Sequence, residues 1–439
     1  MNESIQTSTV YFKTYEEREE AFRKGVFSLV PRKYLGPKLF WRDFGRISLN
    51  ELLKLIEQPI AYITSNPRDC LAFGTPWQVL TAAQLCAQNQ KNELIFSVEK
   101  VAEDFGVHEN LFQPIRTLSG GETVKLALAK AYLYATFSRR LTIASPFSWL
   151  SRDNRLYFQR LFQHYVDRSL QVELLALEGE DSNEIIENSD AQQDEIIKPV
   201  DFSISLKDVR ISLGSSLNPL QSQDTYAKVD DLKADLTSPC LIVGENGQGK
   251  SLIAKIITGA IASQGVAKLK RKNKSGPARL LFQDVINQTL LRSFDAIAAL
   301  IDRTGGANPL EIYDKILSEY CLYLDNSANA SAEFSLASKG QFRSLLEIKA
   351  ILVAVRLCGQ PCALILDEPD WGLNRKSAIA FVLAIIRVSH ELGTPVLLIS
   401  HKPWWIKLPK STIRVRRTPK EMDKDGNYSF QIKLTCDGS

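Results

Sequence analysis

Gly244-Glu245-Asn246-Gly247-Gln248-Gly249-Lys250-Ser251 is the stretch whose reading decides the fold. Its glycines, lysine and hydroxyl fall at the spacing that cradles the phosphates of a nucleotide. Leu241-Ile242-Val243 before it reads as a short apolar strand, and Leu252-Ile253-Ala254-Lys255-Ile256-Ile257 after it as a buried helix, which is the strand–loop–helix setting the motif requires. Backbone N–H groups of the turn and the positive end of the helix would hold the phosphates. Lys250 would reach the β and γ oxygens, and Ser251 would ligate Mg²⁺. A plain glycine turn before a core helix accounts for the glycines but not for Lys250-Ser251 directly after them. The pattern implies ATP or GTP.

Working outward, three more strand ends carry matching chemistry. Ala363 to Leu366 is an apolar run ending in Asp367-Glu368-Pro369, which puts one carboxylate on a Mg²⁺ shell and a second beside an attacking water. Val396-Leu397-Leu398-Ile399-Ser400 leads to His401, able to hydrogen-bond a γ-phosphate, and Leu280-Leu281-Phe282 leads to Gln283. Taken singly, a strand-end histidine is a satisfied structural residue and a glutamine after a strand is a surface residue. In this order the four elements support one another.

These residues resemble the ATP-binding cassette (ABC) ATPases. The resemblance implies ATP and Mg²⁺ as ligands, Gly244 to Ser251 as Walker A, Gln283 as the Q-loop glutamine on the metal, Asp367 as Walker B, Glu368 as catalytic carboxylate and His401 as the switch histidine. The family's LSGGQ signature, which serves ATP held by a different cassette, is replaced here by Ala337-Ser338-Lys339-Gly340-Gln341. The loop after Glu368 ends in Asn374 where the family has Asp. An adenine-stacking aromatic is expected before the phosphate loop, yet Arg210-Ile211-Ser212-Leu213-Gly214 offers none.

The N-terminal half shows the complementary pattern. Leu118-Ser119-Gly120-Gly121-Glu122 resembles an intact signature, followed by the helical run Val124 to Ala131. Ser119, Gly120, Gly121 and Glu122 could meet a phosphate at the helix end, or form a serine cap with its capping-box glutamate. Leu141 to Pro146 resembles a Walker B strand with Ala144 and Ser145 in place of the carboxylates. Ile60 to Pro67 resembles a Q-loop strand with Ser65 in place of the glutamine. No Gly-Lys-Ser/Thr precedes it, and Leu174 to Glu178 lacks a switch histidine. The opposite defects fit head-to-tail pairing of two cassettes, with one site combining the C-terminal residues with Ser119 to Glu122.

The expectation is therefore α/β, two ABC-type P-loop NTPase domains in tandem, the N-terminal one degenerate and lacking a phosphate loop. Residues 1–178 form the first domain, 179–198 an acidic linker, 199–408 the ATP-binding domain and 409–439 a C-terminal β-hairpin extension. A length of 439 residues suits two domains, and an apolar share of 44% suffices for buried sheets. The seven cysteines form no zinc or secreted-disulfide pattern, which favours a reducing, cytoplasmic setting. No signal peptide and no apolar stretch able to cross a bilayer is legible. A net charge of +4 does not by itself imply nucleic acid. Lys268 to Lys274 reads as a solvated hairpin tip, with phosphate-backbone binding as the minority reading. Before Ile60, aromatics such as Tyr11, Phe12 and Tyr15 interleave with basic residues, and such mixing can stack and neutralise nucleic acid. It equally describes an extension packing on a sheet in place of the missing phosphate lobe, the preferred reading because Glu16, Glu17, Glu19 and Glu20 interrupt the charge.

The signature ending in Glu122 resembles that of soluble twin-cassette ATPases such as the translation-associated ABC-F proteins, and more weakly those linked to molybdenum uptake. Ile60 to Leu80 is similar to energising subunits of vitamin and metal transporters. The resemblances imply an ATP-driven machine acting on a macromolecular complex, with other protein subunits as partners. The alternatives are a transporter's ATPase subunit bound to a membrane protein, or an ATP-gated binding module with little turnover.

Overall fold

In a computed structural model, the chain divides into two compact units, one from Met1–Glu178 and the other from Gly179–Ser215 and Gln223–Ser439. The structure describes residues 7–27, 61–63, 67–71, 74–91, 97–115, 118, 120–138, 140–144, 157, 171–177, 199–215, 224–245, 247–271, 274–275, 278–283, 285, 308–325, 345–402, 405, 408–419, 421–422 and 428–437. The linker 179–198, Ser145, Ser65 and the altered signature Ala337 to Gln341 lie outside these.

The first unit is a four-stranded sheet of β1 (Thr7–Phe12), β2 (Ala61–Ile63), β3 (Arg140–Ala144) and β4 (Gln171–Leu177), in the order β1-β4-β3-β2. Every pairing is parallel, so its connections are crossovers. Helices α1 (Tyr15–Phe27), α2 (Pro76–Lys91), α3 (Val98–Asp104) and α4 (Gly120–Ser138) supply them. The length of α4 is carried by Leu126, Ala127, Leu128 and Ala129, all buried.

The second unit is built on a twelve-stranded mixed sheet. Its strands are β5 (Val200–Ser215), β6 (Asp224–Val229), β7 (Leu232–Ser238), β8 (Cys240–Val243), β9 (Gln264–Arg271), β10 (Lys274–Ser275), β11 (Arg279–Leu281), β12 (Leu364–Asp367), β13 (Val396–Ile399), β14 (Ser411–Arg417), β15 (Glu421–Met422) and β16 (Tyr428–Asp437). Along the main path the order is β10-β9-β5-β6-β16-β14-β8-β13-β12-β11. Between β14 and β11 all neighbours are parallel; β8, β13 and β12 read as apolar runs because both faces are buried, whereas β14 alternates, with Arg414 and Arg416 exposed. Helices α5 (Lys250–Ile257), α6 (Pro309–Asp325), α7 (Leu345–Cys358) and α8 (Arg375–Glu391) complete the unit. Ile253, Ala254, Ile256 and Ile257 of α5 enter the same core as Ile242, Ile413 and Ile432.

One expectation is corrected by the topology. Residues 409–439 do form a hairpin, β14 against β16, but it is not an extension. β14 pairs in parallel with β8, and β16 in parallel with β6. The hairpin thus closes the sheet beside the phosphate-loop strand, and Ile413, Val415 and Ile432 are buried in the core.

Candidate functional site

The four parallel strands of the second unit end along one edge, where ligands bind in open α/β sheets. β8 runs into Gly244, β13 into Ser400-His401, β12 ends at Asp367, and β11 is followed by Phe282-Gln283. The expected residues Gly244, Glu245, Gly247, Gln248, Gly249, Lys250, Ser251, Gln283, Asp367, Glu368 and His401 all lie on this edge. Asn246 lies outside the described residues.

Glycine is required where the loop touches the hairpin. A Cβ on Gly244 would fall 2.4 Å from the Val415 carbonyl oxygen. Gly249, the N-cap of α5, has φ of 101°, and a Cβ there would come 2.9 Å from Ile432 Cδ1. Gln248 Oε1 accepts the N–H of Arg417. Lys250 Nζ donates to the carbonyls of Gly244 at 2.7 Å and Glu245 at 3.0 Å. Burial holds this ammonium below the ordinary lysine range, against the pull of Glu368 and Asp367.

The carboxylates behave differently although they are adjacent. Burial and the neighbouring Glu368 push Asp367 up to about 7, opposed by a hydrogen bond from Ser251, whose Oγ donates to Asp367 Oδ1 at 3.1 Å. Burial would raise Glu368 as well, but His401, Lys250 and Lys402 together hold it below the usual glutamate range. His401 Nδ1 lies 2.9 Å from Glu368 Oε1. Glu368 also has φ of 48°, left-handed for a residue with a side chain, a strain that concentrates at functional sites. His401 Nε2 is buried without a hydrogen-bond partner.

The donor set suits a hard cation. Ser251 Oγ and the Asp367 carboxylate are adjacent oxygens, and among the described residues there is no larger His/Cys/Asp/Glu cluster. Mg²⁺ fits such a site because it keeps waters and phosphate oxygens as its remaining ligands.

No protein-family profile matches the chain. The zinc import ATP-binding protein ZnuC of Chromohalobacter salexigens is 32% identical over 164 residues, covering 37% of this chain and 61% of that protein. ZnuC of Paracoccus denitrificans is 25% identical over 201 residues, 45% of this chain and 69% of its own length. Among solved structures, that of ribosome-bound archaeal Pelota and ABCE1 matches with a TM-score of 0.57 at 13% identity, over 98% of this chain and 74% of the other. The sequence is thus similar to ABC ATP-binding proteins, and the chain spans less than two thirds of the length of the Chromohalobacter salexigens relative. The fold of the chain is that of two ABC-type P-loop NTPase domains in tandem. Among the described residues no helix is long and apolar enough to cross a membrane.

Two features of the chain escape motif reading. The first is Lys349 on α7, wholly buried, whose Nζ donates to the carbonyls of Pro369 at 2.5 Å and of Trp371. It ties α7 to the loop leaving Glu368, and Ser400 Oγ joins Glu368 and Asp370 on the other side at 3.4 and 3.3 Å. Burial lowers the Lys349 ammonium to about 7, against the attraction of Asp370. The second lies in the first unit. β1, β4, β3 and β2 repeat the order of β8, β13, β12 and β11, so β1 stands where the phosphate-loop strand stands in the second unit. Between β1 and α1 there is no glycine loop, only Lys13-Thr14. Thr14 Oγ1 accepts the Glu17 N–H at 3.2 Å, and the Glu17 carboxylate accepts the Lys13 N–H at 3.2 Å. The start of this helix is capped from within by its own side chains. β3 ends in Ala144 where β12 ends in Asp367.

The signature of the first unit opens α4. Gly121 is buried and Gly120 half-buried, and Glu122 Oε1 accepts from Asn110 Nδ2 at 3.1 Å. Ser119 lies outside the described residues. In the stretch where an adenine-stacking aromatic is expected, Ser212 of β5 pairs across the sheet with Tyr226 of β6.

Proposed function

We propose that the chain hydrolyses ATP at the second unit's site. Glu368 accepts a proton from the water that attacks the γ-phosphorus as ADP leaves, Lys250 and His401 steady the transferring phosphoryl group, and Ser251 with Asp367 would hold Mg²⁺, whose charge would stabilise the oxygens of the triphosphate. Gln283 would be a further ligand of that metal. The observation that carries this is the carboxylate of Glu368, buried yet kept ionised by His401 at 2.9 Å. Replacing Glu368 with Gln keeps the shape and removes the base. Turnover should then fall by roughly 10²–10⁴ with nucleotide binding retained, and unchanged turnover would end the proposal.

The first unit is proposed to be degenerate, so that each chain binds one nucleotide and Ser119 to Glu122 serve its turnover. Ser119→Arg is expected to abolish hydrolysis, and calorimetry giving two tight ATP sites per chain would overturn the single-site reading. Turnover is proposed to drive a shape change in a larger assembly of protein subunits, a reading supported by the tandem fold shared over 98% of the chain with ribosome-bound ABCE1. The ZnuC relatives favour a second reading, an energising subunit for a membrane transporter. Co-purification of a membrane protein with the Glu368→Gln form would select it. Binding of ATP without measurable hydrolysis would instead select the gated-module reading. A cytoplasmic setting belongs to the same proposal, supported by thiols such as Cys240, Cys321 and Cys362 that are buried and unbridged.

A further inference from the structure

Strands β5, β6, β16 and β14 are neighbours. Their inward residues, among them Ile211, Ala227, Ile432 and Val415, are buried in the core. The opposite face carries Arg210, Lys228, Lys433 and Arg416, all exposed. Register makes their placement unusual. Arg210 pairs directly across the strands with Lys228, and Arg416 directly with Lys433. Like charges directly opposite one another destabilise a sheet, and here two such pairs share one face. Of the acids nearby, Asp437 is engaged by Arg414 and Asp230 by the amide of Gln431, while Glu421 lies opposite Ser429, one row away from the pair of Arg210 and Lys228. Among the described residues the four cations have no acidic partner.

We propose that this face binds single-stranded RNA. A polyanion would turn the repulsion within both pairs into attraction, and the rest of the face selects among polyanions. Tyr226, 41% exposed, lies in the next row between its cross-strand partners Ser212 and Ser429. Lysine, arginine and hydroxyl donors beside an aromatic ring on an open sheet are the means by which unstacked strands are held through phosphate, sugar and base plane. An anionic membrane would call for apolar side chains to insert, and an acidic protein for several aromatic or apolar anchors; the face offers neither. The same strands seat the phosphate loop, since Arg417 bonds Gln248 and Ile432 packs under Gly249. RNA on this face therefore acts on the strands that shape the nucleotide site. The inference names a partner for the proposed larger assembly and rests on that reading, while its binding test does not depend on hydrolysis.

The test is fluorescence anisotropy of the full chain with a labelled uridine oligonucleotide of about 20 residues, longer than the usual single-strand footprint. Four phosphate contacts predict a salt slope near −3, a roughly 50-fold loss of affinity between 50 and 200 mM salt. Replacing Arg210, Lys228, Arg416 and Lys433 together with Gln should weaken binding at least tenfold and flatten the slope, while Lys228→Arg/Lys433→Arg should bind like the parent. Basal hydrolysis should stay unchanged in both, and the melting temperature of the Gln variant should be no lower than the parent's, because the repulsion within both pairs is relieved. Equal binding by the Gln variant, or a preference for DNA of the same sequence, for phosphatidylserine vesicles or for polyglutamate, would overturn the proposal. If Glu368→Gln keeps turnover but RNA still binds with this slope, the catalytic reading fails and this one stands.

Discussion

Two strand-to-helix junctions, β8–α5 and β1–α1, hold the same place in their sheets and show what a phosphate loop needs. In the second unit Gly244 to Gly249 leaves a wide turn pressed against Val415 and Ile432, and the loop strand is inside the sheet, flanked by β14 and β13. In the first unit Lys13-Thr14 closes the same gap, and among the described residues β1 is the last strand of its sheet. The helix start is occupied by Thr14 and Glu17. The difference is one of where backbone N–H groups go. Glycines leave them pointing outward to an anion, whereas a threonine cap and a carboxylate one turn later consume them.

The strongest way to probe the contrast is to remove what holds the β8 junction in place. Deleting Pro419 to Ser439 takes away β16, on which both β6 and β14 pair. The second unit should lose cooperative unfolding and hydrolysis together; a truncated chain with parental melting temperature and turnover would show that the hairpin is dispensable. Next in size is Lys250→Ala. If the two junctions differ as described, nucleotide binding should disappear from the whole chain in calorimetry, and any tight site that remains would assign nucleotide to the first unit.

A smaller loss is expected from Lys349→Met, which leaves the carbonyls of Pro369 and Trp371 without their donor. Turnover should fall by about tenfold with little change in nucleotide affinity, in line with about 1–3 kcal/mol for a buried group left unpaired. The pH dependence has a definite sign. Burial lowers Lys349 to about 7, so between pH 7 and 10 the unfolded chain holds a proton the folded chain has released, and stability rises with pH. Chemical denaturation at pH 7 and pH 9 should shift the gap between parent and Lys349→Met in the parent's favour, and a gap independent of pH would rule out this titration. Smallest is Thr14→Ala, a lost cap worth about 1 kcal/mol of stability. Nucleotide binding should be untouched, and a gain or loss of bound nucleotide would erase the contrast between junctions.

Legibility in the sequence followed the range of the interactions. Gly244 to Ser251, Asp367 and Glu368 could be read because their chemistry requires particular residue types at short spacing after an apolar strand. Lys349 could not, since its partners are carbonyl oxygens twenty and more residues away, which leave no trace in side-chain identity. β14 and β16 were legible as a hairpin, yet their parallel pairing with β8 and β6 spans most of the unit and has no local signal. β1 and α1 lacked the glycines by which a phosphate lobe is noticed. The pairing of Ser212 with Tyr226 shows the same limit, since a neighbour across a sheet is distant along the chain.

Lys250 has a kinetic consequence. Its ammonium already bridges the carbonyls of Gly244 and Glu245, so the loop is closed around its own lysine. An incoming phosphate exchanges one set of oxygen partners for another and does not have to order a slack chain. Association should therefore run at an encounter-limited pace with weak temperature dependence, and differences among nucleotides should be written in their residence times.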